Sequence, residues 1–295
     1  GFANSLKVDV ATADASLDAS DGTQIEHRIE GQNLQQLAFG TSDAKSLTLS
    51  FWVKSNKTGT YVVRLLQPDA SSRMISQAYT ISSANTWEKK TITVSGDTSG
   101  VINDDNGAGL NITWWLSAGT DYQSGSMPTD WQSYSNGDSA VGQVNLADST
   151  SNYLNIAGVQ LETGTTATPF ENLQYTTQLQ LCQRYYEKSY SIGVASIPPT
   201  NTALGAVTLT VNSTINGYMA GSRPFVVSKR AIPTIIIYSP SGSSGTVADG
   251  NTTNYKTGTA LQTGTAGFSL QNNSGVTYTP VSNLIYFHFI ADAEL

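Results

Sequence analysis

The side chains of this chain best suited to meet a ligand are aromatic. Trp52 and Trp115 fall on the polar side of their strands when residues are counted two by two. Trp131 and Tyr134 lie in the polar stretch 119–138, beside Tyr122. Indole and phenol faces stack on the apolar C–H face of a sugar ring, while nearby amides satisfy its hydroxyls. Trp52, Trp115, Tyr122, Trp131 and Tyr134 are therefore the candidate glycan platform. An outward tryptophan on a polar face needs a reason, and cover by loops or by a neighbouring subunit is the competing one. Trp87 and Trp114 read as core or edge packing.

Catalytic groups are scarce. The chain has two histidines, His27 and His288, and one cysteine, Cys182, which leaves almost no way to build a Cys/His zinc site. No Gly-x-Ser-x-Gly elbow joins a strand to a helix, and no glycine-rich loop follows a strand and opens a helix. Glu162 and Glu171 are the best placed acids, but they read as groups that bond backbone rather than as a glycosidase pair. Asn103-Asp-Asp-Asn-Gly-Ala-Gly109 packs oxygen ligands near glycines, as calcium loops do. It lacks the full ligand spacing, so a plain turn competes with a weak structural calcium site at Asp104 and Asp105. No other cofactor and no enzyme activity are expected.

The elements that must hold these residues are strands. Leu47-Thr-Leu-Ser-Phe-Trp-Val-Lys54 and Leu110-Asn-Ile-Thr-Trp-Trp-Leu116 alternate apolar and polar residues. Further strands are predicted at Tyr61–Leu66, Thr91–Val94 and Tyr153–Leu161. Many short strands at this spacing argue for a β-sandwich or jelly roll. Thr163–Phe170 reads as a break, followed by a helix over roughly Thr176–Lys188. Tyr175, Leu179, Cys182 and Tyr186 form its stripe. Beyond it the chain returns to β, at 207–211, 233–238 and 283–290, with 239–265 read as loop. Strands 233–238 and 283–290 are apolar on both faces, so each is buried twice or pairs with another chain. The expected fold is all-β: a jelly-roll sandwich over 1–172, a short connecting helix over 173–190 and a smaller β-sandwich over 191–295. The opening Gly1-Phe-Ala-Asn4 reads like the interior of a domain, so the first sheet is expected to lack its first strand.

Composition narrows the partners. Only 13% of residues are charged and the net charge is −7, about half the usual charged fraction of roughly 25%. Such a chain has no electrostatic footprint for phosphate backbones and is poorly matched to an anionic bilayer. No apolar run reaches the ~18 residues of a spanning helix. Nucleic-acid binding and membrane insertion are not expected.

Several segments occur together in a familiar order: Ser50-Phe-Trp-Val-Lys-Ser-Asn-Lys-Thr-Gly-Thr-Tyr61, Asn85-Thr-Trp-Glu-Lys-Lys-Thr-Ile-Thr93, Ala157-Gly-Val-Gln-Leu-Glu162, Ala167-Thr-Pro-Phe-Glu171, Leu181-Cys-Gln-Arg-Tyr-Tyr186 and Ala291-Asp-Ala-Glu-Leu295. In this the chain resembles a family of phage and prophage tail-fibre or appendage proteins, whose first domain looks like a jelly-roll carbohydrate-binding module. The resemblance implies a virion structural protein on the particle surface, touching other virion proteins and a host surface glycan. It also implies a homo-oligomer, with a trimer favoured and the stripe of Tyr175, Leu179, Cys182 and Tyr186 as its seam. Two alternatives stand beside it: a capsid-decorating protein without a ligand, and the carbohydrate-binding module of a secreted protein.

Overall fold

A computed structural model describes residues 2–194, 205–210, 218–249, 255–271 and 284–295. The chain divides into two units, Gly1–Asn172 and Leu173–Leu295.

In the first unit the strands are β1 (Leu6–Asp9), β2 (Gly22–Glu30), β3 (Leu47–Ser55), β4 (Gly59–Gln67), β5 (Arg73–Ile81), β6 (Glu88–Val94), β7 (Ala108–Ala118), β8 (Gln132–Ser133) and β9 (Tyr153–Thr163), with one helical turn, α1 (Thr120–Gln123). They form two antiparallel sheets, ordered β1-β9-β3-β6 and β2-β7-β4-β5-β8. The sheets face each other across one apolar core, so the unit is a β-sandwich of the jelly-roll kind. Alternation explains which residues fill it. Leu47, Leu49, Phe51 and Val53 of β3 meet Leu110, Ile112, Trp114 and Leu116 of β7, with Val63 and Leu65 of β4. Phe51 spans the two layers, edge-on to Trp114 at 5.8 Å and to Tyr79 of β5 at 5.2 Å. Burying each such side chain stabilises the fold by about 1.5–3 kcal/mol before chain entropy is counted. Trp114 is a core residue, as its inward position in β7 requires.

The second unit contains α2 (Tyr175–Gln183), β10 (Tyr186–Lys188), β11 (Val207–Thr210), β12 (Tyr218–Pro224), β13 (Thr234–Tyr238), β14 (Thr246–Asp249), β15 (Tyr255–Thr257), β16 (Thr259–Leu261), β17 (Gly267–Gln271) and β18 (Leu284–Asp292). Strand β18 is its axis. Ile290 pairs with Lys188 of β10 and with Ile236 of β13, and Tyr286 pairs with Thr208 of β11 and Ala248 of β14. Four strands therefore use its two edges, and Ile285, Phe287, Phe289, Ile290 and Ala291 are buried within the unit while Leu284 stays exposed. A second sheet, β12-β17-β16, contributes Phe268 and Leu270 to a core with Phe287 and Phe289. Beside this core, Lys229 and Glu187 are buried together, with Nζ donating to Oε2 at 2.7 Å. Lys229 Nζ also donates to the carbonyls of Gln183 and Val227.

Two expectations for this unit change. The stretch 239–265, expected as loop, carries β14, β15 and β16 among its described residues, because its Thr, Val, Tyr and Leu find edges to pair with. The helix is also shorter than expected. The chain turns where Tyr185 N–H donates to the Cys182 carbonyl, and Tyr186 enters β10, opposite Asp292. The aromatic pair Tyr185-Tyr186 favours a strand, and β18 offers the edge. The proposed seam is therefore not one stripe: Tyr186 lies outside α2, Tyr175 is 66% exposed, Cys182 is exposed and Leu179 is half-buried. In β13, Ile237 points into the core while Ile236 stays exposed.

Candidate functional site

The outer face of the β1-β9-β3-β6 sheet can be read from its register. Trp52 in β3 stands opposite Ala157 in β9 and Lys89 in β6. Two residues along, Lys54 stands opposite Asn155, which faces Lys7 of β1. Thr48 and Ser50 point the same way but are covered. Thr48 Oγ1 donates to the Gly164 carbonyl at 2.7 Å, and Gln160, opposite Ser50, accepts the Glu171 N–H at 2.7 Å. Glu162 binds Thr168 through both its N–H and its hydroxyl. The segment 164–172 thus lies across part of the face and leaves Trp52 half-buried beside it.

Gly158 sets the floor. It follows Ala157 at the point where the β3–β9 register slips, with φ +57. A Cβ there would stand 2.1 Å from the Phe2 ring, so only glycine allows both the left-handed backbone and the approach of that ring. Phe2 in turn meets Phe170 edge-on at 5.0 Å. A cleft of about 610 Å³ results. Phe2, Trp52, Trp87 and Phe170 supply its apolar lining, and Asn4, Ser5 and Asn172 supply polar groups. The Asn155 amide donates to Ser5 Oγ at 3.1 Å, which ties β9 to the cleft wall.

Trp87 is presented by the turn before β6. Asn85 takes φ +60, a conformation asparagine tolerates, and its N–H donates to the Ser55 carbonyl at 2.7 Å. Tyr153 donates its hydroxyl to Asn85 Oδ1 at 2.6 Å. The Trp87 ring is 38% exposed. Lys54 Nζ sits 5.3 Å from its centre and 6.0 Å from that of Tyr153, while Lys7 Nζ sits 5.1 Å from Tyr153. Trp87, expected as packing, therefore belongs to the site. Counting back by two from Thr91 through Lys89 reaches it, on the face that carries Trp52.

The other platform candidates are dispersed. Trp115 points outward from β7 as its position requires, but it is 3% exposed. The loop after β7 folds back over it: Tyr122 packs at 4.8 Å, Ala140 and Met127 join it, and the Arg64 guanidinium lies 5.5 Å from its ring. Cover by a loop is therefore the reason for this ring. Trp131 is also buried, edge-on to Phe39 at 5.5 Å, with Nε1 donating to the Ser95 carbonyl at 2.8 Å. Its polar sequence surroundings concealed an anchor that pins the loop to the core. Tyr122 is half-buried under the same loop. Tyr134 remains 41% exposed but belongs to the opposite sheet's face, over Arg64 at 5.6 Å. The structure thus leaves Trp52 alone of the five in the cleft.

The loop Asn103–Gly109 closes as a turn. Asp105 Oδ1 accepts the Gly107 N–H at 2.7 Å, and Asn103 bonds Asp69 through backbone and side chain. Among the described residues no group of three or more His, Cys, Asp or Glu stands together to hold a metal ion, so Asp104 and Asp105 have no third acidic ligand. His288 is buried with Nδ1 3.0 Å from Ser189 Oγ, and His27 is an exposed residue of β2. Neither lines the cleft.

No family model matches the chain, and no curated protein matches it. Among solved structures, it is similar to a carbohydrate-binding module designated CBM4, at 15% identity over 55% of this chain and 73% of the other, with a TM-score of 0.31. A family 16 carbohydrate-binding module aligns at 11% identity over 55% and 78%, with a TM-score of 0.26. Discoidin II from Dictyostelium discoideum aligns at 11% identity over 95% and 78%, with a TM-score of 0.19.

Proposed function

We propose that the first unit is a non-catalytic carbohydrate-binding module that holds a sugar in the cleft between Trp52 and Trp87. The observation that carries this reading is the cleft itself: two accessible indoles on the outer face of a rigid sheet, with Asn4, Asn172 and Ser5 at hand for hydroxyls. Among the described residues, those lining the cleft include no carboxylate, histidine or cysteine, the side chains that most often act as general acid and base and the pair a glycosidase requires, which supports the non-catalytic reading. The setting we propose is a surface protein of a phage particle, on the strength of the ordered segments between Ser50 and Leu295. A module of a secreted protein would use the same cleft in the same way.

Trp87→Ala is the clean test, because that ring is accessible and contributes little to the core. On a glycan array followed by calorimetry, it should cost about tenfold or more in affinity while the melting temperature stays within the small range of surface substitutions. Undiminished binding by both Trp87→Ala and Trp52→Ala, or release of a cleaved sugar by the intact protein, would overturn the proposal.

A further inference from the structure

We propose that Lys54 makes this cleft selective for sugars that carry an anionic substituent, a carboxylate or a sulfate. The inference rests on the reading that Trp52 and Trp87 hold a sugar. It starts from an anomaly of charge. The chain carries a net charge of −7, yet the cross-strand neighbours around Trp52 and Lys54 on this face are Lys89, Ala157, Asn155 and, one strand further, Lys7. None is acidic.

The lysines are not equivalent. Lys7 has Asp9 at 2.7 Å, Lys90 has Glu88 at 2.6 Å and Lys57 has Asp148. Lys89 is near enough to Glu162 to add to what holds that carboxyl below the usual range, chiefly hydrogen bonds from Gln160 and Thr168. Lys54 has no carboxylate within salt-bridge distance among the described residues. Its ammonium is held by the faces of Trp87 and Tyr153. An aromatic face attracts a cation and displaces part of its water without cancelling its charge. Lys54 is thus fixed in place with its positive charge still available.

Lys54 lies outside the lining itself, and its ammonium over Trp87 sets the charge at the edge of the cleft. Trp52 and Lys54 are alternate residues on one face of β3, which separates their Cα atoms by about 6.8 Å. A ring lying on Trp52 has its exocyclic groups within reach of a four-carbon side chain anchored there. A carboxylate and a sulfate present the same anionic oxygens, and a charge-assisted bond to either is stronger than one to a hydroxyl.

The experiment uses the full chain on an array of uronate-containing and sulfated oligosaccharides, each printed beside its methyl-esterified or desulfated counterpart, with affinities of the hits measured at low and high salt. Neutralising the substituent should weaken binding about fivefold. Lys54→Gln should lose the same factor on the charged member of a pair and nothing on the neutral one, and Lys54→Arg should restore it. If Lys54 only braces Trp87, Lys54→Gln lowers both members alike, which overturns the inference. Equal binding of charged and neutral members by the wild type, with loss in Trp87→Ala, overturns it while leaving the carbohydrate reading in place. No binding to any printed glycan removes both.

Discussion

The buried pair Lys229–Glu187 offers the sharpest quantitative test of the second unit. Both side chains are almost wholly removed from water. Lys229 spends its three protons on Glu187 Oε2, the Gln183 carbonyl and the Val227 carbonyl, and the Glu187 carboxylate also accepts the Val226 N–H at 3.1 Å. Lys229→Met keeps most of the volume but leaves a buried carboxylate and two carbonyls without their donor. Breaking such a pair from one side costs about 3–5 kcal/mol. At about 4 °C per kcal/mol for a unit of this size, the transition should fall by roughly 12–20 °C. Adding Glu187→Gln removes the stranded charge, the larger part of the penalty, and keeps an oxygen for Val226 N–H. The double variant should therefore recover most of the loss. The assay is thermal unfolding of the full chain, with hydrogen exchange of the β18 amides identifying which transition moves. A single variant that melts within about 1 kcal/mol of wild type would refute the reasoning. A double variant as unstable as the single would show that packing, not uncompensated charge, is the cause.

Two further outcomes bear on the first unit. Trp115→Ala, which empties the space between Arg64, Tyr122 and the sheet, should cost about 3–5 kcal/mol by denaturant unfolding; a stable variant with selective loss of glycan affinity would mean that this ring is a platform after all. Asp138 accepts the Ser126 N–H at 2.7 Å and the Gln132 amide at 2.8 Å, and these bonds hold its carboxyl below the ordinary range. Its contribution is present above the unfolded value of about 3.9 and lost as pH falls through the lower folded one. Acid should thus loosen the loop around Asp138 before the sheets, and Asp138→Asn should flatten that pH dependence in loop hydrogen exchange; an unchanged profile would refute the assignment.

The two-layer architecture was legible because the strands of the first unit alternate cleanly, so Leu47–Val53 and Leu110–Leu116 announce their inward sets. Strand β5, Arg73–Ile81, is hard to read from sequence because Arg73 and Gln77 interrupt its inward set of Ile75, Tyr79 and Ile81. Period two told correctly that Trp115 points away from the core, but alternation records direction and not cover. A loop bonded back through Ala140 N–H to the Tyr122 carbonyl shelters it. The same limit hid Trp131, an anchor embedded in a polar loop. Trp87 is harder to read because it precedes the first residue of β6, so only continuing the strand's period of two beyond its end assigns it to the face of Trp52. The cleft itself depends on Phe2, Gly158 and Phe170, which are far apart in sequence and which no local pattern joins.

The position of β18 has a consequence for how the protein is made. A strand that joins β10, β11, β13 and β14 is the last of them to leave the ribosome, so the others wait for their common partner. Tyr186 cannot meet Asp292 until about a hundred further residues are polymerised, a delay of roughly 5–20 s at ordinary rates of synthesis. Through that interval the isoleucines of β13 are exposed as nascent chain, while strands β1 to β9 of the first unit have all been synthesised. Translation stalled before β18 would therefore leave β10, β11, β13 and β14 without their common partner, and demand for chaperones should be greater for the second unit than for the first.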